Sequence, residues 1–572
     1  MRLARHPRLN AAYIHYMLNG ITHGFHPGIP LHAEPRSCQR NHPMDLHSKI
    51  ATTEDILEGL DKGFTIGPFS PDDPIAADWT FSPLGAVWKP GRPKVRLIMD
   101  MSCFKRLLLS VNTFIAAEYK YVSYLRTRQV VAFVNALGKD AWLWLADMDQ
   151  AYRRVHVQRE HWKFLAFRWF GYVYATTCLP FGMASSCQLY CHFANAVRYI
   201  AIGLYPGAFQ FHGCDALFSY MDDFFGGAQS KADAQTQFDL FLALIAWLGI
   251  PTQPRKCQSP AQIQSILGFL YNSITRTVSV PPKKYILMCE ELQRTLALAS
   301  LGRLFSRRQL AQIIGKLMWA SQVIFPARAF IRRLELASNI PQPWDKACIR
   351  LTPVLCADLQ WWLDILPSAR NGISFDYLLR PHNQGDIHVW TDATSDPTLG
   401  FAGYSSLGHY FQITWKELNI PQATASHIEY QELLAICVAA HIWRDTFKNK
   451  SVTFWCDNEA VHYMLIKRSC TASRLDLLAL IGDFCLCAFD WRFYYYMEWL
   501  STDDNIEADY LSRFKPRPFA RMLLPNAASL PGLKPFFSRF QGIPDSSLFI
   551  DDSAAALTAG RRSVYLSLPL YS

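Results

Sequence analysis

Residues 216–227 read ALFSYMDDFFGG, and this stretch decides the fold. Two apolar runs, LFSYM and FFGG, flank Asp222 and Asp223, the pattern of two strands joined by a tight hairpin. Upstream, Ala141 to Asp147 (AWLWLAD) is another continuously apolar run that ends in acid. Such runs read as buried strands that deliver carboxylates to a sheet edge. Pairing the two runs would gather Asp147, Asp222 and Asp223 at one place. Neighbouring aspartates in dry surroundings repel one another, and a divalent cation is the natural compensation. An isolated Asp-Asp pair is more often an exposed acidic turn, so the flanking sequence has to decide.

It does so through order. DMDQAY (147–152), LPFG (179–182), YMDD (220–223), Lys256 in LGIPTQPRK and LGFL (267–270) follow the order found in reverse transcriptases. IGPF (66–69), KVRLIMDMS (94–102) and SVN (110–112) resemble the finger region of the same family. The resemblance runs from about residue 45 to residue 345. YMDDFFGG followed by GKLMWASQVIFPARAFIRRL (315–334) looks most like DIRS-type tyrosine-recombinase retrotransposons, with gypsy-type elements and pararetroviruses as near alternatives. The resemblance implies Asp147 and Asp222 as metal ligands and Asp223 as a supporting catalytic carboxylate. It also implies Lys89, Arg96, Tyr152 and Lys256 as dNTP-binding residues, the ring of Tyr152 standing where it blocks a 2′-hydroxyl. Asp149 competes within DMDQAY, but the spacing to Tyr152 favours Asp147. Cys187 stands where relatives carry proline after LPFG.

A second set of acids lies in residues 386–515. Asp392 ends the strand DIHVWTD, Glu432 lies on a helix beginning near Ser426, Asp457 ends SVTFWCD, and Asp509 lies in NIEADYLSR. Strand, helix, strand and helix each placing one acid suits a two-metal hydrolytic site. DATSDPTLGFAGY, QELLAI, CDN and ADYLSR together resemble ribonuclease H. That resemblance implies Asp392, Glu432, Asp457 and Asp509 as catalytic metal ligands. The loop MEWLSTDDN (497–505) lacks the histidine that many relatives carry before the last aspartate, so slow turnover is expected. Two glutamates compete on the helix. Ser426 and Glu429 have the spacing of a capping box, whereas Glu432 shares a helical face with Ile436, Ala439 and Trp443.

Charge and composition agree with a nucleic-acid enzyme. Lys+Arg 57 against Asp+Glu 47 leaves +10, and residues 276–350 alone hold thirteen Lys/Arg against four Asp/Glu. A basic segment in an otherwise balanced chain is the footprint of a phosphate-backbone binder. Lys283, Lys284, Arg303, Arg307, Arg308, Arg332 and Arg333 are its candidate nucleic-acid-binding residues. Half of the 572 residues are apolar, which excludes a chain disordered throughout and, at this length, a lone binding module. The longest apolar run, Leu240 to Pro251, is too short to span a bilayer, no signal-peptide core is present, and the 15 cysteines sit at irregular spacings. An intracellular protein of cytoplasm or nucleus, with thiols rather than disulfides, is expected. No Cys-x-x-Cys spacing supports zinc among Cys38, His42, His47 and the other N-terminal histidines.

The expected fold is therefore multidomain. An α+β right-hand polymerase would comprise an irregular arm (1–45), fingers (46–140), a palm (141–275) and a basic helical thumb (276–350). A connection (351–385), an α/β ribonuclease H-like domain (386–515) and a tail (516–572) would follow. The expected function is RNA-directed DNA polymerisation with removal of the RNA strand of the hybrid, using two Mg²⁺ (or Mn²⁺) ions per active site. RNA template, DNA primer, RNA-DNA hybrid and dNTPs are the expected partners, and no membrane. The alternative is a decayed or domesticated retroelement protein that binds nucleic acid without catalysis, against which all seven acids count.

Overall fold

The computed structural model describes residues 6–38, 40–88, 96–104, 107–324, 327–339, 343–379, 385–418, 427–471, 474–515 and 522–523. The chain divides into two compact units, Met1–Thr277 and Val278–Ser572. The first corrects the reading of residues 1–45 as an irregular arm. Helix α1 (Ala11–His23) opens there, with the Asn10 side chain accepting from the Tyr13 N–H at 2.8 Å. Its buried residues are few, Met17 and Gly20, and a Cβ on Gly20 would fall 2.3 Å from the Phe25 ring. A helix anchored through so small a face carries little periodic signal. Beyond it the chain is irregular; His6, before the helix, meets Asp215, and His42, after it, meets Asp100, each at 3.1 Å.

Helix α2 (Leu46–Asp61) follows, then β1 (Leu84–Val87) paired antiparallel with β2 (Arg96–Met99). Residues 89–95, which join the two strands, lie outside the described residues. The central sheet has the order β6-β3-β5-β4, all antiparallel, formed by β3 (Trp142–Asp147), β4 (Leu217–Tyr220), β5 (Asp223–Ala228) and β6 (Gln258–Ala261). Helices α3 (Ser186–Leu204) and α4 (Lys231–Trp247) pack on it. Trp144 is fully buried on β3, and its indole N–H donates to Gln237 of α4 at 3.0 Å. The FFGG glycines serve this packing, since a Cβ on Gly226 would lie 2.7 Å from the Trp144 ring.

In the second unit, four helices come first: α5 (Pro282–Ser300), α6 (Arg307–Ala320), α7 (Arg332–Ser338) and α8 (Pro353–Asn371). Helix α8 belongs to the stretch read as a separate connection, yet it packs on α5, so no boundary falls at residue 350. Trp362 is part of this core, and Trp361 stacks on Phe330. The Arg333 guanidinium grips the carboxylate of Asp358, which is 1% exposed. That bidentate pair takes Arg333 out of the phosphate-facing set, because releasing it would strand a buried anion. Arg333→Ala is expected to cost about 3–5 kcal/mol. An unchanged denaturation midpoint would return the residue to the surface group.

A sheet of order β11-β10-β7-β8-β9 completes this unit, built from β7 (Ile387–Ala393), β8 (Gly400–Ser405), β9 (His409–Thr414), β10 (Ser451–Cys456) and β11 (Tyr494–Trp499). Strands β7, β10 and β11 run parallel, and β7, β8 and β9 alternate. From the tail, Met522–Leu523 adds a short parallel strand beside β9. Helix α9 (Ile428–Ile442) packs on β7 and β8 on one side and on α10 (Leu475–Asp490) on the other. Every residue from Tyr430 to Ala440 is buried, so the single apolar stripe inferred for this helix is a helix buried all round. The short α11 (Ile506–Ser512) covers the opposite side of β8, with Ala508 and Leu511 against Ala402, Tyr404 and Tyr410. Among the described residues, no helix is long and apolar enough to cross a membrane.

Candidate active site

Tyr220 and Asp223 face each other across β4 and β5, leaving Met221 and Asp222 as a two-residue turn. Met221 adopts φ +52°, a left-handed conformation that costs a non-glycine residue ~1–2 kcal/mol. On the other edge of β5, Asp223 is the register partner of Asp147, and the Met148 N–H donates to the Asp222 carbonyl at 3.0 Å. The hairpin thus brings the three acids to one end of the sheet. Asp147 is buried, 3% exposed, and burial raises its carboxyl above the usual range despite the nearby ammonium of Lys256. Burial, joined by the charges of Asp222 and Asp147, pushes Asp223 up to about 7.

Lys256 donates from Nζ to both Asp147 oxygens, at 2.6 and 2.9 Å. The sequence placed this lysine on the incoming nucleotide; the structure places it on the carboxylate, where it supplies the positive charge that a buried anion requires. Arg96 is exposed, its guanidinium 4.6 Å above the Phe181 ring, and Phe181 in turn stacks on Tyr152 at 5.0 Å. Lys89 lies outside the described residues. In the sequence Phe181 reads only as part of LPFG, and its position as the layer between Arg96 and Tyr152 has no signal in spacing. Asp149 lies beyond the strand end, where its N–H donates to the Pro251 carbonyl.

The second set of acids is tighter. Asp392, Glu432 and Asp457 each offer an oxygen within 4.8 Å of the others. Burial is the first cause of the raised carboxyls here. Asp392 is pushed up to about 7, and Glu432 goes well above its usual range, with the charges of Asp392 and Asp457 adding to it. Glu432 Oε1 accepts from the Ala393 N–H at 3.2 Å, and its Oε2 has no hydrogen-bond partner among the described residues. Asp509 is not one of that group of three, and its carboxylate accepts from Arg513 at 2.5 Å and lies 3.9 Å from Lys515. Ser512, which sequence reading missed, donates to Asp392 Oδ2 at 2.5 Å. Its signal was its place one helical turn after Asp509.

The helix start also differs from expectation. Its N-cap is His427, Ser426 lies outside the described residues, and Glu429 pairs with Arg474 at 2.9 Å. With the cap one residue later, Glu429 no longer occupies the third helical position that a capping box needs.

Among the basic residues of the second unit, Lys283, Arg303 and Arg308 are exposed, Arg308 sharing its charge with Asp345 at 3.0 Å. Lys284 lies 4.2 Å from the Trp319 ring, Arg307 donates to the Ser338 carbonyl, and Arg332 pairs with Glu335.

Residues 87–271 match a family model described as "Reverse transcriptase (RNA-dependent DNA polymerase)". The chain carries a reverse transcriptase domain. The matched segment contains the three acids, Lys256 and Tyr152. The chain is also similar to a solved foamy viral protease-reverse transcriptase dRH in complex with double-stranded DNA. That match has 15% identity and a TM-score of 0.46, and covers 83% of this chain and 73% of that one. A foamy viral protease-reverse transcriptase in complex with RNA/DNA hybrid matches at 14% identity and a TM-score of 0.46, over 87% and 58% of the two chains. No curated protein matches the sequence.

Proposed function

We propose that this reverse transcriptase domain copies RNA into DNA by two-metal nucleotidyl transfer, and that the second unit degrades the RNA strand of the resulting hybrid. The observation that carries the polymerase reading is the Asp147–Asp223 register pair at a two-residue turn bearing Asp222, inside the matched segment. Three acids presenting only oxygen donors suit a hard cation such as Mg²⁺ or Mn²⁺. Asp147 and Asp222 would hold it, and in the second unit Asp392, Glu432 and Asp457 would do so. The unpartnered Glu432 Oε2, buried among like charges, favours that assignment. Bound there, such ions activate the attacking oxygen and stabilise the leaving one.

The chain's own residues do the rest. Asp223 braces the sheet end beside Asp147. Lys256 holds Asp147 in place through two hydrogen bonds, and it would share that carboxylate with any cation. Tyr152 would meet the sugar of an incoming dNTP, with Arg96, Lys89 and Lys256 the cations nearest in role to its phosphates. In the second unit, Ser512 orients Asp392, while Asp509 would join as a fourth ligand, sharing its carboxylate with Arg513. This arrangement of strands, helices and acids supports the reading of the second unit as a ribonuclease H-like domain. DIRS-type retrotransposons remain the finer assignment favoured by YMDDFFGG and residues 315–334, ahead of gypsy-type and pararetroviral elements.

Primer extension by the full chain on RNA and DNA templates with Mg²⁺, run beside cleavage of a labelled hybrid, tests the reading. Binding of primer-template without extension or cleavage would instead identify a non-catalytic nucleic-acid binder. The exposed cations give a separate test. Replacing Lys283, Arg303 and Arg308 by alanine is expected to weaken primer-template binding for every sequence alike. The slope of log K against log salt should flatten by about 0.9 for each phosphate that is no longer neutralised. A weakening restricted to one template sequence would point to base readout.

A further inference from the structure

One face of α3 holds two parts of the polymerase site together. Cys187, Tyr190 and Cys191 sit at spacings of three and four, which places them side by side on the helix. Cys187 Sγ lies 2.9 Å from the Tyr152 hydroxyl. Tyr190 packs 5.6 Å from the Tyr152 ring, and its hydroxyl donates to Met148 Sδ at 3.3 Å. One turn on from Cys187, Cys191 Sγ lies 3.9 Å from Sδ of Met221, the left-handed residue of the acidic turn. The helix therefore indexes the Tyr152 ring against the turn that carries Asp222.

Tyr152 needs such indexing. It sits on a single 3₁₀ turn, Ala151–Arg154, which follows Gln150 at φ +52°. Stacking on Phe181 restrains the ring face, but offset stacking leaves sliding within the plane open. The hydroxyl is the one directional handle on this side chain, and Cys187 holds it.

We propose that Cys187 is a positioning residue for nucleotide selection: its thiol fixes the Tyr152 hydroxyl and thereby the ring edge that excludes a 2′-hydroxyl. The inference rests on the reading of Tyr152 as the residue facing the incoming sugar. It concerns selectivity only, and involves no covalent step at the thiol.

Single-nucleotide incorporation by the full chain on a primed RNA template, measured as kcat/KM for dNTP over rNTP, tests both levels. Tyr152→Ala is expected to lower the ratio at least about tenfold. Cys187→Ala should lower it about five- to tenfold, the scale of one hydrogen bond, chiefly through a smaller KM for rNTP. Tyr152→Phe should do the same, and adding Cys187→Ala to Tyr152→Phe should change nothing further, because both remove one hydrogen bond. Cys187→Ser should restore most of the ratio, and Cys214→Ala, an exposed thiol elsewhere, should leave it unchanged. A relaxed Tyr152→Ala beside an unrelaxed Cys187→Ala overturns the role of the thiol and leaves that of Tyr152 standing. Equal losses of dNTP and rNTP incorporation in Cys187→Ala show packing alone and also overturn it. No relaxation in Tyr152→Ala overturns both.

Discussion

Asp222→Asn is expected to reduce primer extension by on the order of 10³-fold or more while hybrid cleavage stays within about twofold of the parent. The substitution keeps the size of the side chain and removes the charge that would hold a cation. Asp222 occupies the turn rather than a strand, and its hydrogen bond with Met148 is made by the backbone carbonyl, which asparagine retains. The fold should therefore survive. The acids proposed for hybrid cleavage lie wholly in the second compact unit, so nothing in their geometry depends on Asp222. Extension and cleavage measured on one preparation decide the matter. Parallel loss of the two activities in a folded variant would mean that a single site serves both.

Glu432→Gln should have an effect of similar size on the other activity, removing hybrid cleavage and sparing extension. Its stability behaviour carries a sign. Burial, reinforced by Asp392 and Asp457, raises the Glu432 carboxyl well above its ordinary value. A group raised on folding binds its proton more tightly in the native state, so its contribution is complete below the unfolded carboxylate range and is lost as pH rises above it. In chelator-treated protein, glutamine should become progressively the more stable variant as pH rises above the ordinary carboxylate range. A difference in Tm that does not vary with pH would show that Glu432 ionises without penalty. Glu429→Ala, by contrast, removes one side of a half-exposed pair with Arg474. It should cost less than about 1 kcal/mol and retain cleavage, rather than behaving as a lost cap. Cleavage surviving Glu432→Gln but lost in a folded Glu429→Ala would reverse the assignment.

The carboxylates borne by strands, Asp147, Asp223, Asp392 and Asp457, were legible because each sits at or beside the end of a run whose apolarity is dictated by burial. AWLWLAD and LFSYMDDFFGG read as strands, and strands they are, with Asp147 and Asp223 opposed. Glu432 was legible through QELLAI, but not through its helical face, since a helix buried on every side has no stripe to read. Other features depend on pairings between distant segments, which local patterns do not encode. Arg333 met Asp358 across two helices, Lys256 closed on Asp147 from 109 residues away, and Cys187 found Tyr152. Helix α1 was missed for the opposite reason, its small buried face being nearly silent.

The turn at Met221 and Asp222 also sets how this segment can change over time. Two residues close the hairpin, and Asp223 reaches Asp147 only because the count from Tyr220 is fixed. Inserting or deleting one residue within 217–228 would slide β5 by one position and turn every side chain beyond it to the opposite face. Phe224 and Phe225 would exchange the cores they fill, and Asp223 would leave the sheet end. Met221 can vary within the backbone limits of the turn, whereas Asp222 and the length of the turn cannot. Lineages of this chain, natural or selected in the laboratory, should explore this hairpin by substitution and keep its residue count constant.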